Sequence, residues 1–197
     1  MKTNAINFGK LIPVNKCRVI NRSEEKLVNA TVYEYDCKDL FDVYEVGDLD
    51  YSWDFRDLIT SGMHSKYLNQ VIGKDDNRCH YYCAKDENGD IIGLCYTNED
   101  NDSIDIKLVT SEQDKKYKYV GQSIIASLAE KVLITGREKL KIKSALTDVK
   151  DFYAKACGFT CTTQGKSPLG YDFEITKEEI PSFIARTNHK KEIQTQE

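Results

Sequence analysis

Hydrophobic and polar positions along this chain follow two different periods, and the change between them falls near residue 110. Before it, Cys79-His80-Tyr81-Tyr82-Cys83-Ala84 is rich in strand-forming residues. Asp86-Glu87-Asn88-Gly89-Asp90 follows with the Asn-Gly signal of a hairpin turn. Ile91 to Thr97 reads as the return strand, and Asn98 to Asp102 as a second polar turn. Ser103-Ile104-Asp105-Ile106-Lys107-Leu108-Val109 then alternates like a half-buried strand. Three antiparallel strands in succession make a meander. After it, Val120, Ile124, Leu128 and Val132 recur every four residues beside Ile125, Ala129 and Leu133, the stripe of an amphipathic helix. Gly121 opens that helix, and Gly136 stands where a C-terminal cap is expected.

The flanking segments follow the same logic. Leu140 to Leu146 predicts a strand in which Lys139, Lys141 and Lys143 alternate with Leu140 and Ile142. Asp148 caps a short helix through Val149, Phe152, Tyr153 and Ala156 that Gly158 stops. Residues 159–162 and 170–175 predict a last pair of strands. Cys17 to Ile20 predicts a short strand near the start, and a helix is expected between Asp57 and Ile72, ahead of Gly73. The tail from Arg186 is polar and reads as frayed. The sum is a mixed α/β fold, a mostly antiparallel central sheet flanked by helices.

At 197 residues the chain is expected to form one domain. No run approaches the roughly 18 apolar residues of a membrane span, and the first eight residues lack the apolar core of a secretory signal, so a cytoplasmic protein is expected. The seven cysteines are odd in number and scattered, and His64, His80 and His189 lie far from any metal-site spacing. No metal is expected, and the cysteines and histidines read as structural. The net charge of −4 argues against a dedicated nucleic-acid binder. It hides an asymmetry: residues 31–57 carry nine carboxylates against two cations, whereas residues 107–166 carry twelve Lys or Arg against six carboxylates. Either both halves are ordinary solvated surface, or the basic half receives an anionic cofactor and the acidic half a cationic substrate.

Chemistry concentrates at Lys118-Tyr119-Val120-Gly121-Gln122-Ser123. Backbone N–H groups at a helix N-terminus form an anion site, Gly121 permits close approach, and Lys115, Lys116 and Lys118 add positive charge. With the meander before it and Phe152-Tyr153-Ala154-Lys155-Ala156-Cys157-Gly158-Phe159 after it, the segment resembles the GCN5-related N-acetyltransferase (GNAT) family. Lys118-x-x-Gly121-x-Ser123 is similar to that family's acetyl-CoA loop, with Lys118 in place of Arg or Gln and Ser123 in place of a smaller residue. Phe152-Tyr153 to Gly158-Phe159 is similar to its FYxxxGF signature with one residue added, which would rotate Tyr153. Leu146 stands where the family often has Asn, and about four extra residues separate Val109 from the loop. The resemblance covers roughly residues 78–163.

The resemblance implies an acetyl-CoA-dependent N-acetyltransferase that moves an acetyl group to a primary amine of a small cationic molecule or peptide in a ternary complex. Residues 76–176 would form the acetyl-CoA-binding core, residues 1–75 the acceptor side of the same domain, and residues 177–197 a C-terminal helix or frayed tail. The pantetheine arm would lie on the backbone near Leu108 and Val109, where N–H groups would also stabilise a developing oxyanion. The diphosphate would take the amides of residues 119–123. Tyr153 matches the general acid, and Asp105, with Glu99 and Asp102 on the preceding turn, is a candidate base. Acetyl-CoA is the cosubstrate, no membrane partner is implied, and a homodimer is left open. Two other readings stand beside it. Tyr35-Asp36-Cys37 and Pro168-Leu169-x-Tyr171 faintly resemble toxin-like relatives that acetylate aminoacyl-tRNA, and the motif departures fit a CoA-binding module without catalysis.

Overall fold

The computed structural model describes residues 12–35, 58–71, 78–111, 116–164 and 170–194, without the side chains of 58–61, 70, 71, 144 and 147. In chain order the elements are β1 (Ile12–Asn21), β2 (Lys26–Tyr35), α1 (Leu58–Val71), β3 (Cys79–Asp86), β4 (Ile91–Glu99), β5 (Ser103–Ser111) and β6 (Tyr117–Lys118). They continue with α2 (Val120–Thr135), β7 (Lys139–Ala145), a 3₁₀ turn (Thr147–Val149), a π-helical turn (Phe152–Cys157), β8 (Thr160–Cys161), β9 (Tyr171–Thr176) and α3 (Ile180–Ile193). Nine strands form one sheet in the order β6-β1-β2-β3-β4-β5-β7-β9-β8. Every pairing is antiparallel except β5 with β7. The α/β class and the meander agree with the reading from sequence.

Two apolar layers hold the sheet. On one face Val19, Ala30, Val32, Ile104, Ile106, Leu140, Ile142 and Phe173 pack against the α2 stripe of Val120, Ile124, Ile125, Leu128 and Val132, together with Tyr153 and with Phe183 of α3. On the other face Tyr35, Tyr81, Cys83, Leu94, Tyr96 and Leu108 pack against Met63, Tyr67 and Leu68 of α1. His64 is fully buried there between the rings of Tyr81 and Tyr96. Cys79 and Cys83 share this face, as strand alternation requires.

Local chemistry explains the turns. The Asp86 carboxylate accepts the N–H groups of Asn88 and Asp90, and Gly89 takes φ +89°. Gly136 ends α2 at φ +73° with its N–H on the carbonyls of Val132 and Leu133. Gly93 of β4 has a packing reason: a Cβ there would lie 2.5 Å from Val120 Cγ1 and 2.8 Å from Ile124 Cδ1. Only a residue without a side chain lets the head of α2 come that close to the sheet.

Three expectations change. The strand expected at 17–20 is half of a long β1–β2 hairpin whose register runs from Ile12↔Glu34 to Asn21↔Lys26. The tail is not frayed from Arg186, because α3 continues to Ile193 and buries Ile180, Phe183, Thr187 and Lys191 along one face. The extra residue before Gly158 widens the short helix into a π turn, closed by N–H bonds from Gly158 and Phe159 to the Tyr153 carbonyl.

Candidate active site

The sheet opens on one side of β5. Pairing with parallel β7 runs from Ser103↔Lys139 to Ile106↔Ile142 and then stops, while β5 continues for five residues to Ser111. At the same place β5 carries a bulge: Thr97 faces Ile106 and Tyr96 faces Leu108, so Lys107 is the extra residue. The bulge reverses the alternation. Ile104 and Ile106 point to the α2 layer, Leu108 to the α1 layer, and Val109 to the α2 layer again. Beyond Ile106, backbone groups on the β7 side of β5 thus face a gap rather than a neighbouring strand.

The N-terminus of α2 points at that gap. Tyr119, the N-cap residue just before it, takes a left-handed conformation (φ +67°, ψ +13°) that a residue with a Cβ seldom adopts. No side chain caps the helix, and the first intrahelical bond near the turn is Ser123 N–H to the Tyr119 carbonyl, 2.9 Å. The N–H groups of Val120, Gly121 and Gln122 therefore have no carbonyl one turn before them, and the helix dipole adds positive potential there. A Cβ on Gly121 would sit 3.8 Å from both Val109 Cγ2 and Phe152 Cζ. The loop, the end of β5 and the π turn thus meet at one glycine.

This corner is fixed from behind. β6 pairs Lys118 with Ile20 and Tyr117 with Asn21, and Tyr117 Oη donates to Asp86 Oδ2 over 2.8 Å. Burial alone would raise the Asp86 carboxyl. The bonds from Tyr117 and from the Asp90 and Asn88 amides, together with Lys116, instead hold it below its ordinary value. Gln122 Nε2 donates to the Ala156 carbonyl at 3.5 Å, tying α2 to the π turn.

The candidate residues divide by location. Leu108 and Val109 lie on opposite faces at the bulge, and Lys118, Tyr119, Val120, Gly121 and Gln122 line the approach to α2. Val120 is buried, with its side chain packed over Gly93. Ser123 is buried too. Its amide is taken by Tyr119, and its hydroxyl donates to the Arg18 carbonyl and accepts from Lys191. It therefore supports the loop from the protein side, and the amide series available to a ligand ends at Gln122.

Tyr153 sits in the α2 layer with its ring against Phe152 and Phe173 at centroid distances of 5.1 and 5.6 Å. Burial pushes its phenol well above the ordinary value, and the nearby Cys95 and Cys157 thiols add to the effect. It is a protonated donor at neutral pH. Asp105 lies on the other face of β5. Its Oδ2 meets Lys107 Nζ at 2.6 Å and Lys143 Nζ at 3.9 Å, while its Oδ1 is buried without a hydrogen-bond partner. Of the two alternatives to it, Glu99 is buried between Lys131 and Arg137 (3.1 Å each) and accepts from Tyr82, whereas Asp102 is exposed on the β4–β5 turn, where its backbone N–H donates to Asp100 Oδ1. Sequence reasoning missed Gly93, which sets the height of α2, and Lys191. A glycine inside a strand is a general sign of close approach, so Gly93 had a signal.

A parallel pair that splays beside a bulge, with an uncapped helix aimed at the opening, decides the architecture. The chain has the GNAT fold. Solved structures agree with it. One described as a bacterial toxin superposes with a TM-score of 0.61 at 12% identity, covering 81% of this chain and 97% of that one. A putative acetyltransferase of the GNAT family from Desulfovibrio desulfuricans gives 0.55 at 14% identity, covering 74% and 99%. AtaTR bound with AcCoA gives 0.56 at 12%, covering 78% and 96%. At these identities the GNAT fold is what the likeness establishes. No protein-family profile matches the chain, and no curated protein matches it by sequence. Among the described residues no helix is long and apolar enough to cross a membrane, and no group of three or more His, Cys, Asp or Glu is placed to hold a metal ion.

Proposed function

We propose that the chain is an acetyl-CoA-dependent N-acetyltransferase acting on a primary amine of a small cationic molecule or peptide. The observation that carries this reading is the left-handed Tyr119, which turns the uncapped N-terminus of α2 toward the opening between β5 and β7. The cosubstrate supplies an activated acetyl thioester. The amides of Val120, Gly121 and Gln122 bind its diphosphate, with Lys118 adding charge beside them. The unpaired backbone of β5 around Leu108 and Val109 orients the pantetheine arm and offers N–H groups to the thioester oxygen. Tyr153, protonated in the free protein, supplies the proton to the departing thiolate. Asp105, whose side chain keeps 13% exposure on the acceptor side of β5, takes the proton of the incoming amine.

The acceptor then enters from the α1 side, where Asp105 and Leu108 lie. The row Tyr35–Tyr81–Tyr96–Leu108 is in register across four strands on that side and is buried beneath α1, so it anchors the helix that borders the acceptor side. Of the acidic run, Glu34 is committed to His80 and Lys131. Asp36 to Asp57, like the segment from Gly165 to Leu169, lies outside the described residues. A second reading has one specific support. Lys139, Lys141 and Lys143 of β7 and Lys107 of β5 share the acceptor face, and an anionic carrier such as aminoacyl-tRNA suits that row better than a free polyamine does. Solved structures described as a bacterial toxin and as AtaTR share the fold and fit this reading.

The test is a CoA-release assay with acetyl-CoA against polyamines, amino acids, peptides and charged tRNA. Release with one acceptor class is expected. Tyr153→Phe should lower turnover about 10²-fold while CoA affinity survives. Unchanged turnover would make Tyr153 a packing residue, and no release with any acceptor would leave a CoA-binding module.

A further inference from the structure

The C-terminal helix binds the rear of both walls of the opening. Arg186 lies under Gly158, where a Cβ would come within 2.2 Å of its guanidinium. Lys190 Nζ reaches the Ala156 carbonyl at 3.5 Å, the same oxygen that accepts from Gln122 of α2. Arg18 of β1 pairs with Glu192 at 3.2 Å. At the centre Lys191, 3% exposed, donates to Ser123 Oγ over 2.8 Å, and Ser123 donates in turn to the Arg18 carbonyl. A cation is thus buried one turn behind the helix end that carries positive potential of its own. Two like charges so placed oppose each other in the ligand-free protein, and an anion at the mouth of the helix relieves both.

We propose that Lys191 is a positioning residue of the diphosphate site: from the C-terminal helix it braces the first turn of α2 through Ser123 and strengthens the positive potential that the ligand meets. The proposal rests on the acetyl-CoA reading above and adds to it a residue that lies behind the site. The groups facing Lys191 are Cys17 and Arg18 of β1 and Ser123 of α2, with Lys190 and Glu192 beside it on α3 and Glu130 of α2 acting through Cys17. Burial brings its ammonium down to about 8, against an opposing pull from Cys17 and with a smaller push from Arg18. Two consequences follow with opposite signs. Below pH 8 the buried charge lowers the stability of the free protein, and that cost fades as pH rises from about 8 toward 10.5, because the unfolded chain holds the proton over that interval. Above pH 8 the charge is lost, and affinity for the diphosphate falls with it.

The experiment is titration calorimetry of CoA and of acetyl-pantetheine, which lacks the diphosphate, into the full chain at pH 7 and pH 9.5. Lys191→Met removes both charge and hydrogen bond, and Lys191→Gln keeps a donor for Ser123 without the charge. The wild-type protein is expected to bind CoA on the order of tenfold more weakly at pH 9.5 than at pH 7. Both variants should lose a similar factor at pH 7, show a flattened pH dependence, and leave acetyl-pantetheine binding unchanged. The melting temperature of Lys191→Met at pH 7 should equal or exceed that of wild type, and Lys191→Gln serves if the Met variant fails to fold. CoA binding by folded variants within twofold of wild type, or an unchanged pH dependence, overturns the proposal and leaves the acetyl-CoA reading standing. A wild-type chain that binds no CoA removes both.

Discussion

Replacing Gly93 with Ala tests how the sheet sets the position of the α2 N-terminus. Without a steric conflict, a Gly→Ala change inside a strand gains about 0.5–1 kcal/mol from reduced backbone entropy in the unfolded chain. Here the new methyl would stand 2.5 Å from Val120 Cγ1 and 2.8 Å from Ile124 Cδ1, both in the buried head of α2. Ordinary carbon contacts lie near ~3.5–4.0 Å. The helix start must therefore lift by about 1 Å, or both side chains must leave their rotamers. Overpacking of that kind costs about 1–3 kcal/mol. Set against the entropy gain, the net loss of about 1 kcal/mol lowers the melting temperature by roughly 2–4 °C for a chain of this size. Because Val120, Gly121 and Gln122 move with the helix, CoA affinity should fall as well. Differential scanning calorimetry and CoA titration on Gly93→Ala, Val120→Ala and the double variant form the assay. The second substitution removes the nearer of the two contacts, so the pair should show positive coupling. An Ala variant at least as stable as wild type, with unchanged CoA affinity, would refute the reasoning.

Two further perturbations separate scaffold from chemistry. Asp86→Asn removes a buried carboxylate that accepts from Tyr117 and two turn amides, and it should cost about 2 kcal/mol at pH 7. The Asp86 carboxyl is held below its ordinary 3.8, so its contribution is complete above that value and is lost as pH falls through the lower folded-state value. Acid melting curves of wild type and variant should therefore converge below pH 3.8, and a gap that stays constant to pH 2 would contradict the assignment. Asp105→Asn should lower the rate of acetyl transfer about 10²-fold with CoA affinity intact. A rate within twofold of wild type would assign Asp105 to holding Lys107 and Lys143.

Much of this architecture is legible in the sequence where one period governs one element. The meander from Cys79 to Val109 alternates because one face of each strand meets α2 and the other meets α1, and the four-residue stripe from Val120 to Val132 matches a helix packed on one side. The β1–β2 hairpin was largely hidden because its turn places Glu25 at φ +53° without a glycine to announce it, and polar residues such as Asn15 and Asn29 interrupt its strands. α3 was misread for a different reason. Its buried face runs Ile180, Phe183, Thr187 and Lys191, and the last two carry no apolar signal. A lysine becomes an interior residue only through a tertiary partner, here Ser123, which no local pattern encodes. The start of α2 at Gly121 was legible, because a glycine opening a four-residue apolar stripe marks a helix N-terminus with unpaired N–H groups. The backbone reversal at Lys107 was not, since a bulge reveals itself only in the pairing with β4.

The central claim is that the first turn of α2 receives the diphosphate of a CoA thioester, and Gly121→Asp tests it most directly. A Cβ at this position meets only ordinary contacts, 3.8 Å from Phe152 and from Val109, so the variant should fold. A carboxylate in the first turn of a helix should even add about 0.3–1 kcal/mol of stability. The same carboxylate occupies the place proposed for the phosphates and repels them. Calorimetric titration with acetyl-CoA should then show saturable binding to wild type and none to a variant that melts at the same temperature or higher. Equal binding by both proteins would contradict the account.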